Sequence, residues 1–195
     1  MRTFSGGLVP VVLLFALLPQ DPQAQAKMLQ QAQQLGRTYE PHQRLQALVG
    51  SWDVVVRSTA PGGPERTDRG TVVGKAILGG RYVVLNFQLQ LQGHAVEAVQ
   101  ILGFDNLRQR YTSSWRDDLS TAAVECSGGI DATAPRRLQL DGQLADARDP
   151  EGRPFRLELE LPDPAAAGKP TVKGKLFDTV GGALTAVQLQ EWTGR

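Results

Sequence analysis

The amino-acid sequence predicts an all-β protein: an antiparallel up-and-down β-barrel of about ten strands with a short N-terminal capping helix. Apolar and polar residues alternate in each predicted strand segment, and this two-residue period is typical of a strand with one buried face. Turn-forming Gly, Pro, Asn and Asp residues separate them, and no long helix intervenes, so parallel βαβ units are excluded. Sequential antiparallel strands close into a barrel or pack as a sandwich. A helix that can cover one open end favours the barrel.

The first 26 residues are predicted to be a secretory signal that takes no part in the fold. Arg2 is the positive start, residues 8–18 are an apolar run, and Ala24-Gln25-Ala26 has the small-x-small pattern of a cleavage site. A transmembrane helix needs about 20 apolar residues, and this run is shorter. We therefore predict cleavage after Ala26, export to the periplasm or the extracellular space, and no membrane-spanning segment in the mature chain. An uncleaved anchor is the alternative.

Residues 27–40 are polar and Gln-rich, and we expect a helical or flexible lead-in there. Residues 41–195 form the predicted barrel domain. Pro41 and Gly50 bracket a two-turn helix, because Pro is favoured in a first turn and Gly just past a last one. The apolar face of this helix carries Leu45, Leu48 and Val49. Trp52 follows directly and is expected to have a structural role as a plug of the barrel floor.

Strand-like alternation then continues to the end of the chain. The expected strands are residues 51–57, 69–77, 81–91, 94–102, 110–116, 121–127, 136–141, 155–161, 172–179 and 183–193. Glycine pairs at residues 62–63, 79–80, 128–129 and 181–182 fall between strands. We interpret them as turns that need positive φ rather than as phosphate-binding loops.

Composition excludes several classes of function. The chain has 21 Lys and Arg against 20 Asp and Glu, whereas nucleic-acid binders carry a basic excess, so no nucleic-acid partner is predicted. Cys126 is the only cysteine, so no intramolecular disulfide can form, and its alternation with Glu125 predicts a buried thiol. Zinc needs three or four ligands, and the only histidines are His42 and His94. No nucleophile elbow or P-loop motif occurs. We predict no metal, no cofactor and no catalytic residues.

Five residues are candidates for ligand binding: Arg81, Glu97, Tyr111, Ser113 and Trp115. Arg81 starts a strand whose same-face residues are apolar, and Glu97 shares a face with Val99 and Ile101. A charge on an apolar face is costly unless it is paired, so either could anchor the polar end of a ligand. The alternative is a strand-end side chain that reaches water. Tyr111, Ser113 and Trp115 share one face and form a mixed wall that suits a cavity.

The carboxylates of Asp117 and Asp118 are adjacent at the end of a predicted strand. Neighbouring residues there point in different directions, so they are poorly placed to share one proton. We interpret them as a solvated hairpin tip.

The ordered motifs resemble a known family. They are Leu48-Val49-Gly50-Ser51-Trp52-Asp53-Val54, Gly79-Gly80-Arg81-Tyr82-Val83-Val84, Leu102-Gly103-Phe104-Asp105, Arg110-Tyr111 and Ser114-Trp115-Arg116-Asp117. Together they resemble bacterial domain-of-unknown-function family 1579 over about residues 41–193. The resemblance implies a calycin-like barrel, related in shape to lipocalins and fatty-acid-binding proteins, and no established activity. Haem-binding proteins of this shape use a His inside the cavity, whereas His42 lies in the capping helix and His94 beside a turn, so we predict no haem.

The sequence thus predicts an exported barrel that binds a small apolar or amphipathic ligand. One alternative is an envelope interaction or assembly protein with a filled barrel and no ligand, and another is an enzyme that uses a cavity carboxylate or tyrosine. A binder should contain a cavity above about 300 Å³, with Arg81 or Glu97 pointing into it. An interaction protein should show a filled interior and an exposed apolar patch. An enzyme should show a buried carboxylate with a raised pKa beside the cavity.

Overall fold

The computed structural model describes residues 21–59, 63–147 and 149–195. The chain divides into two units after Arg37. In the first unit, helix α1 (Pro22–Leu35) begins at Asp21, whose side chain accepts a hydrogen bond from the backbone N–H of Gln23. None of its side chains is buried, and it contains the predicted cleavage site after Ala26. The other predicted parts of the signal, Arg2 and the apolar run, lie outside the described residues.

The second unit, Thr38–Arg195, is the predicted barrel. It opens with helix α2 (Glu40–Leu45) and a 3-10 turn (Gln46–Leu48). The ten strands are β1 (Gly50–Thr59), β2 (Glu65–Ile77), β3 (Tyr82–Leu91), β4 (His94–Asp105), β5 (Arg110–Asp117), β6 (Val124–Asp131), β7 (Ala134–Asp146), β8 (Asp149–Glu160), β9 (Thr171–Val180) and β10 (Ala183–Gly194). Every neighbouring pair is antiparallel and the sheet is closed, so the predicted fold class is confirmed.

Closure is made by the first and last strands. Trp52 lies opposite Gly194 and Ser58 lies opposite Gln188, with the pairs between them in register. The chain end is held to the same seam, because the backbone N–H of Arg195 donates to the carbonyl of Ser51 at 3.0 Å. A closed sheet leaves no edge strand along this seam to pair with another chain.

Alternation along each strand divides the side chains between the barrel interior and solvent. On β3 the inward residues are Val83, Leu85, Phe87 and Leu89, and all four are buried, whereas Asn86 and Gln88 between them are exposed. The same pattern on β7 buries Leu138 and Leu140. The buried apolar side chains therefore form a single core inside the barrel.

The capped end is closed by α2 and the 3-10 turn. Leu45 and Leu48 are 1% and 0% exposed, and the indole Nε1 of Trp52 donates to the Leu48 carbonyl at 3.1 Å. The 3-10 turn packs directly against the backbone of β2 at Gly74. A side chain would not fit there, because a Cβ atom on Gly74 would lie 2.0 Å from the carbonyl oxygen of Leu48. Trp52, which is 3% exposed, forms the floor beneath this lid.

The glycine pairs do not all mark turns. The residues at 79–80 and 181–182 have positive φ and lie in turns, as predicted. The predicted turn at Gly128 and Gly129 is wrong, because both residues lie within β6. A Cβ on Gly128 would come within 2.0 Å of the Gln139 carbonyl oxygen, so this glycine permits the close approach of β7. β7 also continues to Asp146 instead of ending at residue 141.

No helix in the described ranges is both long enough and apolar enough to cross a membrane.

Substitution of Trp52 with alanine should lower the free energy of unfolding by about 3–5 kcal/mol, because it empties the barrel floor and removes the hydrogen bond to the lid. Urea denaturation followed by circular dichroism measures this. Leu189→Ala on the outer face of β10, where the side chain is 39% exposed, is the control and should change stability by less than about 1 kcal/mol. A loss below about 1 kcal/mol for Trp52→Ala would contradict its role as a floor plug.

Candidate functional site

The barrel interior contains a cavity of about 280 Å³. It lies between the core and the open end of the barrel, which is the end opposite the lid. Most of its wall is apolar. The aliphatic and aromatic lining includes Leu89, Leu144, Phe155, Leu157, Leu176 and Trp192. The polar lining is Gln100, Ser113, Asp117, Cys126, Gln188 and Gln190. An apolar chamber with a few convergent polar groups is the usual composition of a small-molecule site.

Three buried side chains form a polar strip on one wall. The amide Nε2 of Gln100 donates to the Ser113 hydroxyl at 2.8 Å, and both residues are at most 4% exposed. Ser113 lies opposite Cys126 on β6. Burial raises the pKa of Cys126 to about 11, and the neighbouring Ser113 hydroxyl offsets this only in part. The thiol is therefore protonated at neutral pH.

Two tryptophan rings form part of the cavity wall and pack against Phe87. Phe87 contacts Trp115 with ring centroids 5.1 Å apart, and it meets Trp192 edge-on at 5.5 Å. The Trp192 indole N–H donates to Gln190 Oε1 at 3.1 Å. Both tryptophans line the cavity, so their fluorescence can report on its contents.

Asp117 orients one of these rings. Its Oδ2 accepts from the Trp115 indole N–H at 2.8 Å, and its Oδ1 accepts from the backbone N–H groups of Leu119 and Ser120. Asp118 turns to the outside of the barrel, where its carboxylate accepts from the backbone N–H of Glu97 at 3.1 Å. Asp118 is therefore exposed, as predicted for a solvated hairpin tip. Asp117 departs from that prediction, because it is half-buried and lines the cavity.

The structure brings Ser113 and Trp115 together in the cavity wall. Tyr111 shares their face but lies deeper, toward the capped end, where it packs against Phe104 with ring centroids 5.0 Å apart. It is 3% exposed and does not line the cavity. Burial raises the pKa of Tyr111 to about 12, so its hydroxyl is neutral.

The expectation that Glu97 or Arg81 points into the cavity is wrong. The two-residue turn between β3 and β4 places Val96 opposite Leu89 and Gln100 opposite Leu85, so Glu97 faces solvent. Val99 and Ile101 share its face and are each 38% exposed.

Arg81 lies at the opposite end of β3 from this turn. It comes just before the strand and is exposed, and its guanidinium Nη1 donates to the Leu78 carbonyl at 2.6 Å. Because Arg81 precedes the first strand residue, the alternation of β3 does not determine where its side chain points.

A charged cluster at the open end was not predicted. Arg153 makes a bidentate pair with Asp178, with Nε–Oδ1 and Nη2–Oδ2 both at 2.7 Å, and its Nη2 also donates to Asp146 at 3.0 Å. The pairing lowers the pKa of Asp178 and raises that of Arg153. The sequence could have indicated that Arg153 faces inward, because it stands two residues before the inward residue Phe155. Gly152 and Pro154 are turn-forming residues, so the strand was expected to begin only after them.

The histidines lie elsewhere. His42 lies within the lid helix α2 and is 2% exposed; its Nδ1 accepts from the backbone N–H of Tyr39 at 3.1 Å and its ring meets Phe104 edge-on. His94 is exposed at the β3–β4 turn. Among the residues placed by the structure, no three His, Cys, Asp or Glu side chains lie close enough to hold a metal ion. The absence of haem and of other cofactors stays a prediction.

Comparison with known proteins gives a family and a fold. The family model described as "Protein of unknown function (DUF1579)" matches residues 37–166. The chain belongs to the DUF1579 family. Strands β9 and β10, which complete the barrel of this DUF1579 protein, lie beyond the matched range. No curated protein matches the chain.

The crystal structure of Rv2717c from M. tuberculosis is among the solved structures that are similar to this DUF1579 protein in fold. The TM-score is 0.55 at 12% sequence identity, and the match covers 82% of this chain and 99% of the other. At that identity the similarity concerns the fold alone.

The thiol of Cys126 should react slowly in the folded protein. Its pKa of about 11 lies above the ordinary value of about 8.5, so at about pH 8 the thiolate should be at least about a hundredfold scarcer than in the unfolded chain. Labelling with a chromogenic disulfide reagent measures the rate, with the urea-unfolded protein as the control. The rate should rise as pH increases toward 11. A native rate within about tenfold of the unfolded rate would contradict the burial.

Proposed function

We propose that this DUF1579 protein is an exported binding protein that holds one small, mostly apolar molecule inside its barrel. The observation that carries the proposal is the cavity of about 280 Å³, whose wall is mainly aliphatic and aromatic. A barrel of about eight to ten strands has an interior large enough for one small ligand.

The volume limits the size of the ligand. At about 30 Å³ for each water-sized group, the cavity holds a molecule of about ten non-hydrogen atoms. Its volume is slightly below the about 300 Å³ at which drug-sized sites begin. Gln188 lines both the cavity and a wider cleft of about 770 Å³ at the open end of the barrel. This cleft can accommodate the polar group of a ligand. The site therefore suits a short amphiphile better than a long lipid.

The polar lining can recognise one hydrogen-bonding group. Gln100 and Ser113 bond to each other, and Asp117 and Gln190 each hold a tryptophan N–H. These bonds position the polar groups before a ligand arrives, which lowers the entropic cost of binding. The apolar wall supplies affinity, and this strip supplies orientation.

Neither alternative function is favoured as strongly. An interaction protein is supported by Val73, Val99 and Ile101, each 38% exposed on the outer faces of β2 and β4, but the barrel interior is not filled. An enzyme would use Asp117, Ser113 or Cys126. Neither His42 nor His94 lines the cavity to act as a base, and the thiol is protonated.

A cavity-filling substitution tests the binding proposal. Val124 lines the cavity, and Val124→Phe should weaken the binding of 1-octanol by about tenfold or more, because the added ring occupies the space of the probe. Quenching or enhancement of tryptophan fluorescence during a titration measures the dissociation constant. The matched control, Val99→Phe, adds the same ring on the outer face and should leave the constant unchanged. Equal effects of the two variants, or no octanol binding by the wild type, would refute the proposal.

Export predicts a defined N-terminus. The protein recovered from the periplasm or medium should begin at Lys27, because cleavage after Ala26 removes the apolar run together with the Asp21 cap of α1. Intact-mass measurement of the recovered protein checks this, with the protein made in the cytoplasm as the uncleaved reference. An uncleaved chain retained with the membrane would support the anchor instead.

A further inference from the structure

The charges at the mouth of the cavity point to the class of ligand. Arg153, Asp146 and Asp178 each stand two residues beyond a cavity-lining residue, namely Phe155, Leu144 and Leu176, toward the open end. Residues two apart on a regular strand share a face, so Arg153 and Asp178 continue the inner wall. The β7–β8 register shifts between Leu144 and Asp146, and it is the ion pair with Arg153 that places Asp146 beside them. Their ion pairs show that the side chains meet across β7, β8 and β9.

The guanidinium of this cluster is already neutralised. Asp178 holds it through two bonds of 2.7 Å, and Asp146 holds it through a third of 3.0 Å. Within this cluster one guanidinium therefore faces two carboxylates, and the cleft at the mouth is lined in addition by Arg66 and Asp149. The side chains of Arg153 and Asp178 are only 16% and 17% exposed, so solvent screens the cluster weakly. A ligand carboxylate brought to Arg153 would become a third anion at the same cation.

The cavity below contains a further carboxylate. Asp117 is the one Asp, Glu, Lys, Arg or His side chain among the cavity-lining residues of the described chain, and the Cys126 thiol is protonated. The remaining polar groups, Gln100, Ser113, Gln188 and Gln190, are uncharged. A buried anion needs a countercharge or several donors, and here it would meet carboxylates both in the cavity and at the mouth. A hydroxyl or an ammonium group meets acceptors at both places.

We propose that the cavity selects amphiphiles with an uncharged or cationic polar end and discriminates against carboxylates of the same length. This inference rests on the proposed binding function and narrows its ligand class. The carboxylates of Asp146, Asp178 and Asp117 provide the selectivity. The apolar wall is indifferent to the head group, so it contributes equally to the binding of every probe with the same chain.

Three probes with the same alkyl chain test the selectivity: 1-octanol, octylammonium and octanoate, titrated into the purified protein at neutral pH with tryptophan fluorescence as the readout. Octylammonium should bind at least as tightly as octanol, and octanoate at least about tenfold more weakly, because like charges at close range are strongly unfavourable. Octanoate binding within about threefold of octanol would overturn the selectivity while leaving the binding function standing. If none of the probes binds, both proposals fail.

Charge-neutral variants locate the effect. Asp178→Asn removes the bidentate partner of Arg153 and should tighten octanoate binding relative to octanol by about fivefold or more. Asp146→Asn should act in the same direction, and it serves as the second variant if Asp178→Asn does not fold. The matched control is Asp141→Asn, which breaks a 2.7 Å pair with Arg156 on the outer side of the same strands. An octanoate-to-octanol ratio unchanged in both mouth variants, or changed equally in the control, would overturn the assignment.

Discussion

The hydrogen-bonded pairing of β1 with β10 is the constraint on which the rest of the molecule depends. Closure places every strand between two partners, and alternation then assigns each side chain either to the interior or to solvent. It also places Trp52 next to Gly194, so that the first residues after the lid and the last residues of the chain form one floor. Without this seam the inner residues would line an open sheet, and no enclosed cavity would exist.

The two ends of the barrel differ in chemistry because the inward residues change in character along the strands. At the capped end they are large and apolar, and Leu48 and Trp52 seal them beneath the lid. Halfway up, Gln100 and Ser113 interrupt the apolar packing, and the cavity begins there. At the mouth, Arg153 and its two carboxylates replace hydrophobic contact with an ion-pair cluster. The barrel therefore has a polar entrance above an apolar chamber.

Much of the fold could be predicted from the alternation of apolar and polar residues and from the turn-forming residues. The long alternation of β3 identified its buried face, and the glycines at 79–80 and 181–182 identified turns. The orientation of Glu97 was also within reach. The two-residue turn pairs Leu91 with His94, which sets Glu97 opposite the outward residue Gln88. Val99 and Ile101 made its face look internal, although apolar side chains are common on barrel exteriors.

The sequence by itself determined the class of fold, the family, and the shared face of Tyr111, Ser113 and Trp115, because periodicity and turn chemistry are local properties of the chain. Only the tertiary structure decided which residues meet. Arg153, Asp146 and Asp178 lie on three strands, and Gln100, Ser113 and Cys126 lie on three others. Their contacts depend on strand register and on the close approach allowed at glycines such as Gly128. Register across the sheet is a cooperative property of the whole barrel, so no single segment encodes it.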